Sequence, residues 1–373
     1  LTSRMGLGIN LGNTLEWNPT ETGSGGAWSS QLFDAFLSAG FTTVRIPVRW
    51  GATMGTSPPY KIDEGLMSRV GEVVRYALDL GMYAIINAHH ENDWLDTENT
   101  TTFDANLPRF IALWQQVAHN FSNSSPRLLF QTFNEPNKMS AAQANQVNAA
   151  ALTAIRSYNP ARHVIVGGSG WNSIWWLRSH GAQLVTSFTL PDGSPDRAVL
   201  LAINYYDPSA LTTPTHSSFP LAGWGSPAEV ASLREDFYFA LSFVEQRGLA
   251  GIVLGEFGVA LQTSNHSARL LWYEVAYAAA SSHGIAPILW DDNGWFRTYN
   301  RATGQWDNSV LRAVGLPPVA FTAPPPPPVL PPCEPVILTT VTNMNSWYPS
   351  RDASASDCAH WCSTRTAQEY GGL

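Results

Sequence analysis

Short apolar runs alternate with amphipathic stretches between residues 6 and 290 of the chain. An apolar run of five to seven residues predicts a buried strand, particularly where Gly or Pro follows it. Such runs occur at residues 6–11, 43–48, 83–88, 128–133, 163–167, 199–205, 251–255 and 286–290. The pattern therefore predicts eight buried strands.

The stretches between these runs carry apolar residues with the 3.6-residue period of a helix. The clearest stripes are Leu66, Val70, Val73, Ala77 and Leu80, then Leu107, Phe110, Trp114, Val117 and Phe121, and then Val230, Leu233, Phe237, Leu241 and Val244. Alternation of strand and helix implies a parallel sheet, and eight repeats over about 320 residues predict a closed (β/α)8 TIM barrel. An open, doubly wound sheet is the alternative, but the Gly-rich segment 6–13 lacks the helix start that follows a phosphate loop.

A proline-rich segment divides the chain once. Residues 323–332 include seven prolines, which predicts a stiff polyproline linker between a barrel at 1–322 and a tail at 333–373. The tail holds all three cysteines, Cys333, Cys358 and Cys362. It is too short for a core without cross-links, and its odd cysteine count leaves one thiol without a partner. It is either the truncated start of a second module or a disordered end.

Composition excludes several classes of partner. The net charge is −8 and only 13% of residues are charged, so we expect no nucleic-acid partner, since phosphate binding needs a basic surface. No stretch approaches the roughly 20 apolar residues of a membrane span. Four Asn-x-Ser/Thr sequons add weight to the expectation of a secreted, extracellular glycoprotein, with chance occurrence as the alternative: Asn99, Asn120, Asn123 and Asn265. We expect a monomer that needs no cofactor.

Two glutamates each close an apolar run. Glu135 follows the fourth run within Asn134-Glu135-Pro136, and Glu256 follows the seventh. A carboxylate at the end of a buried strand is costly unless it is paired or used. Glycosidic bond cleavage needs two such groups, a proton donor to the leaving oxygen and a nucleophile or base at the sugar carbon. The alternative is that each is an ordinary ion-pair partner.

In a barrel the loops after the strands share one rim, so residues just past each run are expected to converge. These residues are polar, titratable or aromatic: Asn13, Arg45, Trp50, His89, His90, Asn134, Asn204, Tyr206, Asp207, Trp290 and Asn293. Trp290 offers a flat face to a sugar ring, and Asn134 can hydrogen-bond a ring hydroxyl. A nucleophile beside Arg45 and Tyr206 would stay ionised while Glu135 stays protonated.

Three of these features have plainer explanations. Arg45, inside an apolar strand, can be half of a structural ion pair. His89 and His90 suggest a metal site, but we expect none, because adjacent strand residues point to opposite faces and no third ligand stands at the usual spacing. The pair Trp175-Trp176 is interpreted as packing.

Seven motifs, in order over residues 6–294, resemble glycoside hydrolase family 5 of the cellulase-A type. They are Gly8-Ile-Asn-Leu-Gly-Asn-Thr14, Val44-Arg-Ile-Pro-Val48, Asn87-Ala-His-His-Glu91, Phe133-Asn-Glu-Pro136, Tyr205-Tyr-Asp207, Gly255-Glu-Phe-Gly258 and Trp290-Asp-Asp-Asn-Gly294. The resemblance implies a retaining endo-β-1,4-glucanase, with Glu135 as acid/base and Glu256 as nucleophile. It assigns sugar contacts to Asn13, His89, His90, Asn134, Tyr206 and Trp290, support of the nucleophile to Arg45, and further contacts to His216 and Trp224.

The chain departs from the family pattern at Asn204, where the family usually has a histidine. Asn can donate a hydrogen bond but cannot titrate, which puts the pH optimum in doubt but leaves the reaction class unchanged. The same mechanism on mannan, xyloglucan or mixed-linkage glucan remains an alternative, because substrate choice depends on loop shape. A non-catalytic sugar-binding barrel is a further alternative, which the presence of both glutamates argues against.

Overall fold

A computed structural model of the chain describes residues 1–17, 25–213, 223–262 and 265–320. Within them eight parallel strands, one in each predicted run, form a closed barrel: β1 Gly8–Asn10, β2 Thr43–Ile46, β3 Tyr83–Asn87, β4 Leu128–Gln131, β5 Val164–Val166, β6 Val199–Tyr205, β7 Ile252–Phe257 and β8 Ala286–Leu289. Pairing of β1 with both β2 and β8 closes the barrel. The open-sheet alternative is therefore wrong. The linker 323–332 and the tail 333–373 lie outside the described residues, so that boundary stays a prediction.

Helices follow most strands and surround the barrel. They are α1 Thr2–Met5, α2 Ser30–Ala39, α3 Glu64–Asp79, α4 Thr100–Asn120, α5 Ala141–Arg156, α6 Ile174–His180, α7 Ser209–Thr212, α8 Pro227–Arg247, α9 His266–Ser282 and α10 Asn308–Ala313, with a small hairpin of β9 Tyr299–Asn300 and β10 Gln305–Trp306. The three predicted stripes fall on α3, α4 and α8. Gly81 and Gly248 follow α3 and α8 with φ of 79° and 65°, left-handed conformations that favour glycine and end the helices. None of the helices in the described ranges has the length and apolar character of a membrane span.

The barrel interior has an apolar part and a polar part. A small apolar cluster that includes Met5, Ile85, Leu129 and Leu200 fills one part, while the larger core lies mainly between strands and helices. By contrast, the buried Arg45 of β2 contacts side chains on β1, β4 and β7. Because β4 and β7 are not neighbours of β2, this side chain must cross the interior. The polar part of the interior therefore lies where these four strands end.

Two register irregularities accompany this polar end. The β6–β7 pairing shifts between Ile203 and Asn204, and the β7–β8 pairing shifts between Leu254 and Phe257. Such bulges re-aim side chains and are common beside active sites. Here the shifted register puts Asn204 opposite Glu256.

Candidate active site

The fully buried guanidinium of Arg45 joins four strands. Its Nη1 donates to Asn10 Oδ1 at 2.8 Å and to Glu256 Oε1 at 2.9 Å, and its Nε donates to Gln131 Oε1 at 2.9 Å. Its Nη2 donates to Asn134 Oδ1, next in sequence to Glu135. The carboxylate partner expected for Arg45 is therefore Glu256, and the same side chain fixes the residue that precedes Glu135.

Glu256 lies inside β7, not just past it, and is 5% exposed. Besides the bond from Arg45, its Oε2 accepts the Tyr206 hydroxyl at 3.2 Å. Both contacts stabilise a carboxylate anion. Burial and the charges of the two glutamates raise the pKa of Tyr206 well above its usual value, so Tyr206 remains a neutral donor.

Glu135 has different neighbours. The Asn204 amide donates to its Oε1 at 2.6 Å, and its carboxyl group makes no ion pair within the described ranges. Burial, and then the charge of Glu256, raise its pKa to about 8, while the Asn204 bond and Arg45 act in the opposite direction. The two carboxyl groups are therefore inequivalent: burial favours the protonated form of Glu135, whereas Glu256 accepts a guanidinium and a phenol, which is the pairing that acid-assisted nucleophilic displacement needs.

The histidines lie close together at the end of β3. His89 Nε2 is 3.2 Å from Asn134 Nδ2 and its Nδ1 is 3.1 Å from Asn87 Nδ2. Burial lowers the pKa of His89 well below its usual value, so the ring is neutral. The ring centroids of His89 and His90 are 4.5 Å apart. The expectation that they point to opposite faces is wrong, because the strand ends at Asn87 and His90 has a left-handed φ of 54°.

Aromatic residues stand around these groups. The Trp290 ring lies parallel to His89, with a centroid distance of 6.2 Å and an interplanar angle of 9°. Trp17 is 59% exposed and stands edge-on to His90 at 6.5 Å, in a 390 Å³ cavity that Arg49 also lines. This cavity lies on the side of the site that the loops after β1, β2 and β3 form.

A second cavity, of 610 Å³, is lined by residues 137–140, which follow Glu135 in the chain. Trp171 and Trp175 line it together with Lys138, and both indoles are more than half exposed. Trp176 also lines this cavity, but its side chain is only 7% exposed. The interpretation of Trp175-Trp176 as packing therefore holds for Trp176 and is wrong for Trp175.

The remaining candidates are placed as follows. Asn13, with φ of 56°, lies at the β1 rim, and its N–H donates to Glu16. Trp50 is fully buried and donates to the Asn87 carbonyl at 2.9 Å, a packing role. Asn293 accepts the Arg301 N–H at 3.1 Å. Trp224 is partly buried against the core, and His216 lies outside the described residues.

Sequence reasoning missed the polar groups that hold these side chains. Asn10 and Gln131 bind Arg45, and both interrupt apolar runs, a signal that could have identified them. Buried carboxylates also anchor rim loops through N–H groups: Glu16, Glu91, Asp96, Asp291 and Asp292. Burial raises the pKa of Glu16 and of Glu91 to about 7. Among the described residues there is no cluster of three or more His, Cys, Asp or Glu able to hold a metal.

Comparison with known proteins gives one consistent answer. The family model described as cellulase (glycosyl hydrolase family 5) matches residues 10–294. Endoglucanase H of Acetivibrio thermocellus is 34% identical over 326 residues, which are 84% of this chain and 33% of that protein. Endoglucanase B of Clostridium cellulovorans is 30% identical over 330 residues, 82% of this chain and 72% of that protein. The chain thus spans about a third of endoglucanase H.

Solved structures agree in fold. Endoglucanase Cel5A of the hyperthermophile Thermotoga maritima has a TM-score of 0.74 at 28% identity, over 84% of this chain and 98% of that one. The same enzyme has been solved in complex with cellobiose and with mannotriose.

Proposed function

The chain belongs to glycosyl hydrolase family 5, and on that premise we propose that it is a retaining endo-β-1,4-glucanase. The observation that carries the proposal is the inequivalence of the two carboxyl groups. Among the described residues, Arg45 and Tyr206 donate to the Glu256 carboxylate, whereas the Glu135 carboxyl group accepts the neutral amide of Asn204 and has a raised pKa.

The proposed reaction is a double displacement. In the first step Glu256 forms a bond to the anomeric carbon while the glycosidic C–O bond breaks and Glu135 gives its proton to the leaving oxygen. In the second step Glu135, now a carboxylate, removes a proton from water, whose oxygen attacks the anomeric carbon and releases Glu256. The two inversions give net retention.

We assign the sugar contacts around this pair from the same geometry. Trp290 and His89 would face the sugar that carries the reacting carbon, together with Asn13, His90, Asn134 and Tyr206. The exposed indoles of Trp17 and Trp171 would bind sugars further along the chain, since aromatic faces pack against sugar rings. His216 and Trp224 remain proposed contacts that rest on the family resemblance alone.

The polymer preference is the open part of the proposal. Cleavage of mannan, xyloglucan or mixed-linkage glucan by the same residues is the second candidate, and the complexes of the Thermotoga maritima enzyme with cellobiose and mannotriose favour testing it. Reducing-sugar release should be measured on a panel of soluble β-glucans and mannans, with Glu256→Gln as the blank. If no polysaccharide on the panel releases reducing sugar but the protein still binds one of them, the result would indicate a non-catalytic sugar-binding barrel.

Stereochemistry tests the mechanism independently of the polymer. Proton NMR during hydrolysis should show the β-anomer first, with the α-anomer appearing only by mutarotation. Initial release of the α-anomer would contradict the double displacement.

We also propose that the protein is a secreted, glycosylated monomer. Asn99, Asn120 and Asn123 are exposed sequon residues. Endoglycosidase treatment of protein from its native host should lower its mass if these sites carry glycans, and light scattering should give the mass of one chain.

A further inference from the structure

Asp96 is a buried carboxylate in the loop between β3 and α4 that the proposed reaction does not use. Asp96 is 2% exposed, and its two carboxylate oxygens accept four hydrogen bonds from neutral N–H groups. Its Oδ1 accepts the backbone N–H groups of Lys138 at 3.0 Å and Met139 at 2.9 Å. Its Oδ2 accepts the Asn137 N–H at 2.9 Å and the Asn92 side-chain amide at 3.0 Å.

These bonds hold the segment that directly follows Glu135. Asn92 Nδ2 also donates to the Glu135 carbonyl at 2.9 Å, so the two bonds of one amide connect Asp96 with the Glu135 main chain. The loop after β5 also holds this segment, because the Trp171 N–H donates to the Pro136 carbonyl at 3.0 Å. The main chain around Glu135 is therefore fixed by two neighbouring loops.

We propose that Asp96 is a positioning residue for the acid/base, acting through the main chain of residues 135–139. With this segment fixed, the Glu135 carboxyl group keeps its bond to Asn204 and faces the leaving oxygen. The inference rests on the proposed function, because it assigns to Asp96 a part in proton donation by Glu135. A carboxylate suits this task because each of its oxygens can accept two N–H groups, and burial strengthens those bonds.

Asp292 provides a matched control on the same rim. It is also buried, at 8% exposure, and its Oδ1 accepts the N–H groups of Gly294 at 2.7 Å and Phe296 at 3.0 Å. It anchors the loop after β8 and makes no bond to residues 135–139. Asp292→Asn should therefore affect loop order and stability without a specific effect on proton donation.

The experiment compares aryl β-cellobiosides whose leaving groups span a wide range of pKa. A poor leaving group needs the proton of Glu135, whereas 2,4-dinitrophenolate departs without it. Asp96→Asn replaces one oxygen with an NH2 group that faces N–H donors, so the segment should shift. Misplacement by about 1 Å can cost on the order of 10²-fold. We expect kcat/KM of Asp96→Asn to fall by about that factor for phenyl and unactivated glycosides and by less than about threefold for the dinitrophenyl glycoside.

The Brønsted plot of log kcat/KM against leaving-group pKa should thus steepen in Asp96→Asn and keep its slope in Asp292→Asn. Equal losses for all leaving groups, or an unchanged slope, would overturn the proposal. If Asp96→Asn fails to fold, Asn92→Ala removes the amide that donates to both Asp96 Oδ2 and the Glu135 carbonyl. This variant keeps the bonds from the N–H groups of Asn137, Lys138 and Met139 to Asp96, so it should steepen the slope to a smaller extent. A wild-type protein that cleaves no glycoside would contradict the proposed function, whereas an active wild type with unchanged variant slopes contradicts this inference alone.

Discussion

Glu135 and Glu256 are the same side chain at the carboxyl ends of two strands of one barrel, but their neighbours differ in charge. Glu256 accepts a guanidinium donor and a phenol, and Glu135 accepts a neutral amide. The difference comes from residues distant in sequence, Arg45 on β2 and Tyr206 after β6. The environment that other strands supply therefore decides which carboxyl group is the anion and which is the acid.

The largest effect on activity should follow loss of the Glu256 carboxylate. Glu256→Gln removes the proposed nucleophile, so turnover should fall by at least ~10⁴-fold on every substrate, whatever its leaving group. Steady-state rates on soluble glucan and on aryl cellobiosides measure this. Substantial activity of this variant on any β-glycoside would mean that another group attacks the sugar.

Removing the guanidinium of Arg45 should make the environments of the Glu135 and Glu256 carboxyl groups more alike. Arg45→Met takes a positive charge from Glu256 and leaves the oxygens of Asn10 and Gln131 without their donor, so kcat should fall on the order of 10²- to 10³-fold and the free energy of unfolding should fall by about 3–5 kcal/mol. Arg156→Met is the matched control, since its buried ion pair with Asp196 makes no contact with either glutamate. That variant should lose stability while its kcat stays near that of the wild type.

The raised pKa of Glu135 predicts the pH dependence. Only the protonated form gives a proton to the leaving oxygen, so kcat/KM should decline as pH rises through the pKa of about 8. In Glu256→Gln the charge that helps to raise this pKa is gone, so the Glu135 pKa should fall. Difference infrared titration of the carboxyl band would follow it, and a pKa that rises or stays constant would contradict the coupling of the two groups.

A smaller effect is expected from restoring the family residue at position 204. A charged histidine lowers the pKa of a neighbouring carboxyl group, but it is charged only on the acid side of roughly 6.5. Asn204→His should therefore shift the basic limb of kcat/KM to lower pH or leave it unchanged. A shift to higher pH would mean that hydrogen bonding by the ring, not its charge, controls the acid.

The smallest effect should come from removing the linker and the tail. Both glutamates and all the neighbours that distinguish them precede residue 323. A chain that ends at Thr322 should fold and should cleave soluble glucan at a rate within about twofold of the full chain. Loss of folding would show that the barrel depends on the tail.

The barrel was predictable because buried strands of a parallel sheet are continuous apolar runs, and all eight runs contain a strand. The apolar run 251–255 predicts an end of β7 that is two residues too early, because a charged residue normally terminates a buried strand. In fact Glu256 continues it, since Arg45 from β2 compensates its burial. The residues that adjoin Glu256 in the sequence do not indicate this ion pair with Arg45.

A site residue was predictable from the sequence only where the residues at one strand end indicate its role without help from other strands. The prediction that Arg45 needs a carboxylate partner follows from its apolar surroundings. The exposure of Trp175 and the closeness of the two histidine rings depend instead on how the chain turns after a strand. Asp96 gave no signal, because an isolated Asp in a loop becomes distinctive only when four N–H groups from two loops converge on it.

The division of labour between the two glutamates is tested most directly by the rate of glycosyl-enzyme formation from 2,4-dinitrophenyl β-cellobioside. Stopped-flow absorbance should show a burst of dinitrophenolate with Glu135→Gln, followed by slow turnover, because this leaving group needs no proton donor but deglycosylation needs a base. Glu256→Gln should show no burst. Equal losses in the glycosylation rate for both variants, or a burst with Glu256→Gln alone, would contradict the assignment.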